Sequence, residues 1–277
     1  MQNAATDLLK AGDLSGALAS LQDSVRANPD DAKLRTFLFQ LLCVMGDWKR
    51  AVTQLKLCAQ LDAAALPMAQ TYREAIICEV FREKVFSGEK DALIFGEPQD
   101  WVALMGQSLK ALAGGKADKA AELREKAFDL APMTSGTLDE KDFDWIADAD
   151  MRLGPVLEII INGKYFWMPF NVLASLRIEP PQDLRDAVWT AANLTLLNGG
   201  ELVGLIPTRY AGTAERGSDA MKLSRVTEWQ NLGNDTFAGL GQRLLTTDQA
   251  EISLMDTRNF QFAPVNADAA GEVGVDG

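Results

Sequence analysis

The stretch "AGDLSGALASLQDSVRANPDDA" at Ala11–Ala32 returns 34 residues later as "MGDWKRAVTQLKLCAQLDAAAL" at Met45–Leu66. Gly12 falls on Gly46, Asp13 on Asp47, Ala17 on Ala51 and Leu21 on Leu55. A third copy, "GGKADKAAELREKAFDLAP" at Gly114–Pro132, lies 103 residues from the first, with Gly115, Ala120 and Pro132 on Gly12, Ala17 and Pro29. The second copy carries Ala63 where the others close with proline. Such a period constrains the fold strongly, because one copy cannot bury its own apolar face and has to stack on the next. Gly-Asp supplies a tight turn, the small alanine lets neighbouring helices approach, and proline ends the second helix of a pair.

The pattern resembles the tetratricopeptide repeat. It predicts a short, irregular helical array over residues 1–132, whose concave face suits a peptide or a helix. Met68–Phe86 has helical apolar spacing but departs from the repeat, and "SGEKDALIFGEP" after it reads as a loop. Residues 133–142, "MTSGTLDEKD", are small, polar and charged, and read as a linker. Beyond them the apolar period shortens. "PVLEIIINGKYFWMPF" is two strand-like runs around Asn162-Gly163, a strong hairpin signal. Its alternation puts Val156, Glu158 and Ile160 on one face, which Glu158 suggests is partly wet. Further hairpins are expected around Asn198-Gly199-Gly200 and in "LGQRLLTTDQAEISLMD", and helices at Pro169–Leu176 and Ser218–Gln230. The predicted fold class is therefore multi-domain α and α+β: a helical repeat array, then a mostly antiparallel α+β domain over 143–262. A small, acidic tail over 263–277 is expected to be disordered.

Composition narrows the function. The chain has no histidine, which removes the commonest general base, the commonest metal ligand and every Ser-His or Cys-His nucleophile. The net charge of −12 disfavours nucleic acid and anionic membrane surfaces. Cys43, Cys58 and Cys78 are far apart and form no CxxC pair, as expected of reduced thiols. No apolar run approaches the roughly 20 residues of a membrane span, and the first residues lack a signal-peptide pattern. A cytoplasmic location is the expectation. Lysines outnumber arginines 11 to 6 up to residue 142, whereas Lys164 and Lys222 stand beside eight arginines afterwards. Arginine suits fixed, bidentate pairing with carboxylates, so the two parts are differently built.

Asp144, Asp148 and Asp150, with Arg152 behind them, invite a metal or acid/base reading. Their spacing is not that of a calcium loop and no glutamate closes it, so structural salt-bridging is favoured. Asp183, Arg185 and Asp186 could fix a loop by arginine pairing or present a polar groove. No pair of carboxylates is placed across a cleft as glycoside hydrolysis needs. "GLGQR" lacks a P-loop lysine and reads as a tight turn or bulge, and the SxxK match at Ser87–Lys90 lacks its companion motifs. Trp48 and Trp101 belong to the core or to a groove, with core favoured.

Five ordered blocks, "DWIADADMRLGPVLEIIINGKYFWMPF", "EPPQDLRDAVWTAA", "LNGGELVGLIPTRY", "LSRVTEW" and "GLGQR", resemble the ImpE family, TagJ-type accessory proteins encoded with bacterial type VI secretion systems. The likeness extends from the repeats to about Phe262. It implies a cytoplasmic, non-enzymatic adaptor with no cofactor or metal. Its implied partner is a helix near the N-terminus of the small, TssB-like subunit of the contractile sheath, with a tie to the ClpV-type AAA+ ATPase. The resemblance carries no residue-level site, so Asp148, Arg152, Arg185, Asp186, Arg209, Glu228 and Arg243 are taken as one charged binding cluster. An enzyme using an Asp/Arg site in the C-terminal domain, and a scaffold that only self-associates, stay open as alternatives.

Overall fold

The computed structural model describes residues 2–264. Its first half is helical: α1 (Gln2–Ala11), α2 (Leu14–Ala27), α3 (Ala32–Met45), α4 (Trp48–Leu61), α5 (Leu66–Phe86), α6 (Asp100–Ala113) and α7 (Ala117–Leu130). The Gly-Asp pairs of the repeat divide their work. Gly46 ends α3 in the left-handed region at φ 77°, and the Asp47 side chain then accepts from Arg50 N to cap α4. Gly12 (φ 83°) and Asp13 do the same between α1 and α2. In the third copy Gly115 keeps its positive φ, but Lys116 gives α7 no side-chain cap.

The register explains the irregularity. First helices of pairs begin at residues 32, 66 and 100, and second helices at 14, 48 and 117. No helix begins near residue 82, where the third pair should have its second member. Instead α5 runs on for 21 residues and the chain leaves the array. Within the expected loop, Leu93–Ile94 form strand β1.

The second half is mostly β. The remaining strands are β2 (Gly136–Leu138), β3 (Lys141–Phe143), β4 (Ile146–Asp148), β5 (Val156–Ile161), β6 (Lys164–Pro169), β7 (Leu173–Ile178), β8 (Trp189–Leu196), β9 (Glu201–Pro207), β10 (Thr227–Asn231), β11 (Phe237–Gly241), β12 (Leu244–Thr247), β13 (Glu251–Ser253) and β14 (Asn259–Phe262). Eight of them join β1 in a nine-stranded sheet in the order β1-β6-β5-β9-β8-β7-β14-β2-β3. Its one parallel junction is β1 on β6, so the helical half contributes an edge strand. The expected turns at Asn162-Gly163, Asn198–Gly200 and between β12 and β13 are present. Asn162 and Gly163 both have positive φ, as a two-residue hairpin turn requires.

Three expectations need correction. Residues 133–142 are not a free linker: β2 and β3 lie in them, and β2 pairs with β14. The helix expected at Pro169–Leu176 is a single 3-10 turn, Phe170–Val172, followed by β7. Pairing with β8 and β14 overrides its weak helical spacing. The helix expected at Ser218–Gln230 shrinks to Asp219–Lys222, capped by Ser218. Ser224 then turns at φ 54°, its hydroxyl held by Ala187 O, and β10 follows. Of the tail expected over 263–277, residues 265–277 lie outside the described residues; Ala263 N still donates to Ser135 O.

Both sheet faces are buried. Val156, Ile160, Tyr165, Trp167 and Trp189 pack with Phe39, Leu42, Ile76 and Trp101 of the helices in one core. Leu157, Ile159, Ile161, Met168 and Leu176 form the second. The face holding Glu158 is thus not partly wet; Glu158 is fully buried.

Gly46 and Gly115 separate backbone from packing effects. A Cβ at Gly46 would stand 2.7 Å from Ala214 Cβ, while one at Gly115 meets nothing within 4 Å. Gly115→Ala should therefore cost only the left-handed penalty, about 1–2 kcal/mol, and Gly46→Ala measurably more in urea unfolding. Equal losses would mean that this junction yields freely.

Candidate functional site

The charges that sequence grouped together sit mainly inside, where the array meets the sheet. Glu158, on β5, is the centre. Arg82 of α5 grips it with two bonds, Nε to Oε1 at 2.6 Å and Nη2 to Oε2 at 2.8 Å. Arg243 donates to Glu158 Oε2 through Nη2 and to Asp148 Oδ2 through Nη1. Tyr165 Oη adds a third donor to Glu158 at 2.5 Å. Arg82 also reaches Glu79, 3.3 Å away, whose other oxygen accepts from Trp189 Nε1. Beside them Asp150 holds Arg152 and takes Gly239 N at 3.0 Å. The guanidiniums of Arg82 and Arg152 share the ring of Phe86.

Burial would push Glu158 up, but Arg82 and Arg243 overcome it and hold the carboxyl at about 2. Asp148 goes the other way. Burial raises it to about 7, against the pull of Arg243 and with the push of Asp150. Two arginines thus hold Glu158 well below the usual carboxylate range, while burial leaves Asp148, served by one, well above it.

Of the seven residues taken as one cluster, Asp148, Arg152 and Arg243 belong to this network. Arg209 adjoins it, since its carbonyl accepts from Arg82. Its own guanidinium binds Val44 O at 2.6 Å, Cys43 O and Lys222 O, placing a cation on the carbonyl end of α3. Burial, only partly offset, lowers Arg209 to about 10. Arg185 and Asp186 form a separate turn: Arg185 pairs with Asp183 over the ring of Tyr72, and Asp186 accepts from Gln182 N and Asp183 N. Glu228 is exposed on β10 and joins neither. A buried guanidinium held by two carboxylates has nothing left to offer a partner. Asp148, Arg152, Arg209 and Arg243 bind the chain to itself.

Geometry decides between a metal or acid/base site and salt-bridging at Asp144, Asp148 and Asp150. Asp148 and Asp150 each face an arginine, and exposed Asp144 points its backbone N at Asp248. Among the described residues no set of three metal-ligating side chains could hold an ion. The cleft beside the network, between Glu79, Arg82 and Tyr210, holds about 20 Å³, room for a single water and not for a substrate. Glycines of "GLGQR" serve close approach: a Cβ at Gly239 would lie 2.1 Å from the Tyr210 ring. Trp101 is buried, and half-buried Trp48 donates to Glu83 and stacks near Trp189.

Arg82, Glu79, Glu158 and Tyr165 were missed from sequence. Glu158 carried a signal, as a lone carboxylate inside "VLEIII" that a buried strand cannot tolerate unpaired. Arg82 carried none, because an arginine on a helix is ordinarily solvated.

The inner side of the array is closed by the sheet half: Trp189 lies 5.6 Å from the Tyr72 ring, and the Arg185 guanidinium lies over that ring at 4.7 Å. The concave surface expected to receive a partner is therefore occupied from within. A groove of about 790 Å³ stays open on the outer side, lined by Val52, Leu55 and Ala59 of α4 and Leu66, Ala69 and Ile77 of α5, and a hollow of about 440 Å³ lies between Thr6 of α1 and Thr36, Phe37 and Gln40 of α3. A smaller apolar hollow of about 360 Å³ lies between Phe128, Met133, Trp145 and Met151.

Glu158→Gln should destabilise by about 3–5 kcal/mol at pH 7, because it takes away the carboxylate that two buried guanidiniums share and leaves Arg82 only Glu79 and Arg243 only Asp148. Since the folded carboxyl titrates at about 2, below its ordinary 4.5, the folded chain binds fewer protons in that interval. This stabilisation is whole above about pH 4.5 and lost as pH falls toward 2. The gap in unfolding free energy between wild type and variant should therefore narrow below about pH 4.5 in urea titrations. A gap independent of pH would show that Glu158 acts by shape alone.

Comparison with known proteins agrees with this architecture. Residues 140–261 match the model of the ImpE protein family, and residues 8–71 match a tetratricopeptide repeat model. The chain is 52% identical over 263 residues to the type VI secretion system accessory component TagJ of Pseudomonas aeruginosa strain PAO1, covering 95% of this chain and 92% of that protein. It also resembles the crystal structure of a Vibrio parahaemolyticus protein, with a TM-score of 0.85 and 26% identity over 94% of this chain and 97% of that one.

Proposed function

The chain belongs to the ImpE family, and on that footing we propose that it is a non-enzymatic adaptor of a bacterial type VI secretion system. It works in the cytoplasm, takes an α-helix from the small, TssB-like subunit of the contractile sheath, and links the sheath to the ClpV-type AAA+ ATPase. The observation that carries the reading is the identity with a secretion accessory component over nearly the whole chain. Repeat arrays of helix pairs recognise helices and peptides, which supports a protein partner. The charge of −12 speaks against nucleic acid, and no helix among the described residues is long and apolar enough to cross a membrane.

The buried charge network enters this function as a brace. It fixes the array against the sheet and leaves recognition to surfaces outside it. The enzymatic alternative finds little support, since the Asp/Arg cluster is internally neutralised and opens on a cleft of one-water size.

Purified chain immobilised on a resin should retain the intact sheath small subunit and lose one that lacks its N-terminal helix. Equal retention of both would overturn helix recognition, and failure to retain either would overturn the adaptor role.

A further inference from the structure

The 34-residue register assigns a vacancy. Pairs α1–α2 and α3–α4 are complete, and α6–α7 closes the array, but the third pair has only its first helix, α5. The residues that should supply its second helix extend α5 to Phe86 and then feed β1 to the sheet edge. A second helix of a pair packs on its own first helix beside the second helix of the preceding pair. Here those neighbours are α5 and α4, the two walls of the open outer groove.

The groove has the features of an unfilled helix seat. Leu66 and Ile77 of α5 are each 56% exposed, eleven residues apart on one helical stripe, with Val80 continuing it at 38%. Val52 and Ala59 line α4 seven residues apart, so both walls present apolar side chains along their axes. Leu66 to Ile77 spans about 16 Å at 1.5 Å per residue. The complete second helices, α2, α4 and α7, have 14 residues each.

Charge tells what kind of helix fits. In a chain of net charge −12, the groove is lined by Lys56 of α4 and Arg73 of α5, and Lys49 and Lys84 lie further along the same two helices, all exposed. None of the four has an acidic partner among the described residues. Glu74 lies at the groove's edge toward the sheet.

We infer that the α4–α5 groove receives an amphipathic α-helix of about 14 residues from another protein, with an apolar stripe at i, i+3/i+4 and i+7 and acidic side chains on its flanks. The guest completes the third helix pair. This rests on the adaptor reading, to which it adds the place and the chemistry of the contact.

The test is calorimetry of the full chain with a synthetic peptide of the TssB-like subunit's N-terminal helix. Leu66→Asp and Ile77→Asp should each raise Kd at least about tenfold, the scale of losing one buried anchor. Val203→Asp, equally polar and on a 69% exposed site of the sheet, should leave Kd unchanged. Lys56→Glu with Arg73→Glu should weaken binding about tenfold at low salt and less at high salt. Should either Asp variant lower Tm, Leu66→Ala and Ile77→Ala replace them, with a smaller expected rise in Kd. Wild-type binding that the groove variants leave untouched overturns this inference and spares the adaptor reading. Absence of wild-type binding overturns both.

Discussion

A carboxylate in the middle of a strand that is covered on both faces has to be neutralised, and the structure is arranged around that need. Glu158 meets Arg82 from a helix 76 residues upstream and Arg243 from 85 residues downstream. Neither guanidinium is replaceable by water, since all three side chains are at most 4% exposed. Such a pair contributes less net stability than its bonds suggest, because desolvation offsets the attraction. Its effect is on geometry. Docking of the array on the sheet has to bring Arg82 onto both Glu158 oxygens, one of which Arg243 of the sheet half already holds.

The local features of this arrangement were legible in the sequence, and the non-local ones were not. Gly12-Asp13 and Gly46-Asp47 announced helix ends because positive φ and capping are properties of single residues. Asn162-Gly163 announced a hairpin for the same reason. By contrast, β1 is two residues long and exists only because β6 offers it an edge. The segment at 133–142 looks like a linker until β14 arrives to pair with it. The seven charged residues show both outcomes. Asp148, Arg152 and Arg243 do share one network, whereas Glu228 lies outside, and nothing in the spacing of "TEW" separates an exposed glutamate from a buried one.

Closing the inner side changes how a repeat array is used. In an open solenoid the concave surface is free for partners. Here Trp189, Arg185 and Arg209 fill it, and the array turns into a rigid support whose outer helices face solvent. The chemistry follows: carboxylates and arginines that might have suggested catalysis are spent on cohesion, while Lys49, Lys56, Arg73 and Lys84 on the exposed sides of α4 and α5 have no acidic partner among the described residues.

The edge strand β1 has a bearing on synthesis. When Leu130 is added to the growing chain every helix of the array has been made, yet neither β6 nor Glu158 exists. Arg82 then has no counter-ion on β5 and the two residues of β1 have no ladder to join. The nascent amino-terminal half is obliged to wait, incomplete, until Pro169 ends β6, so its last steps of folding depend on contacts of high sequence separation.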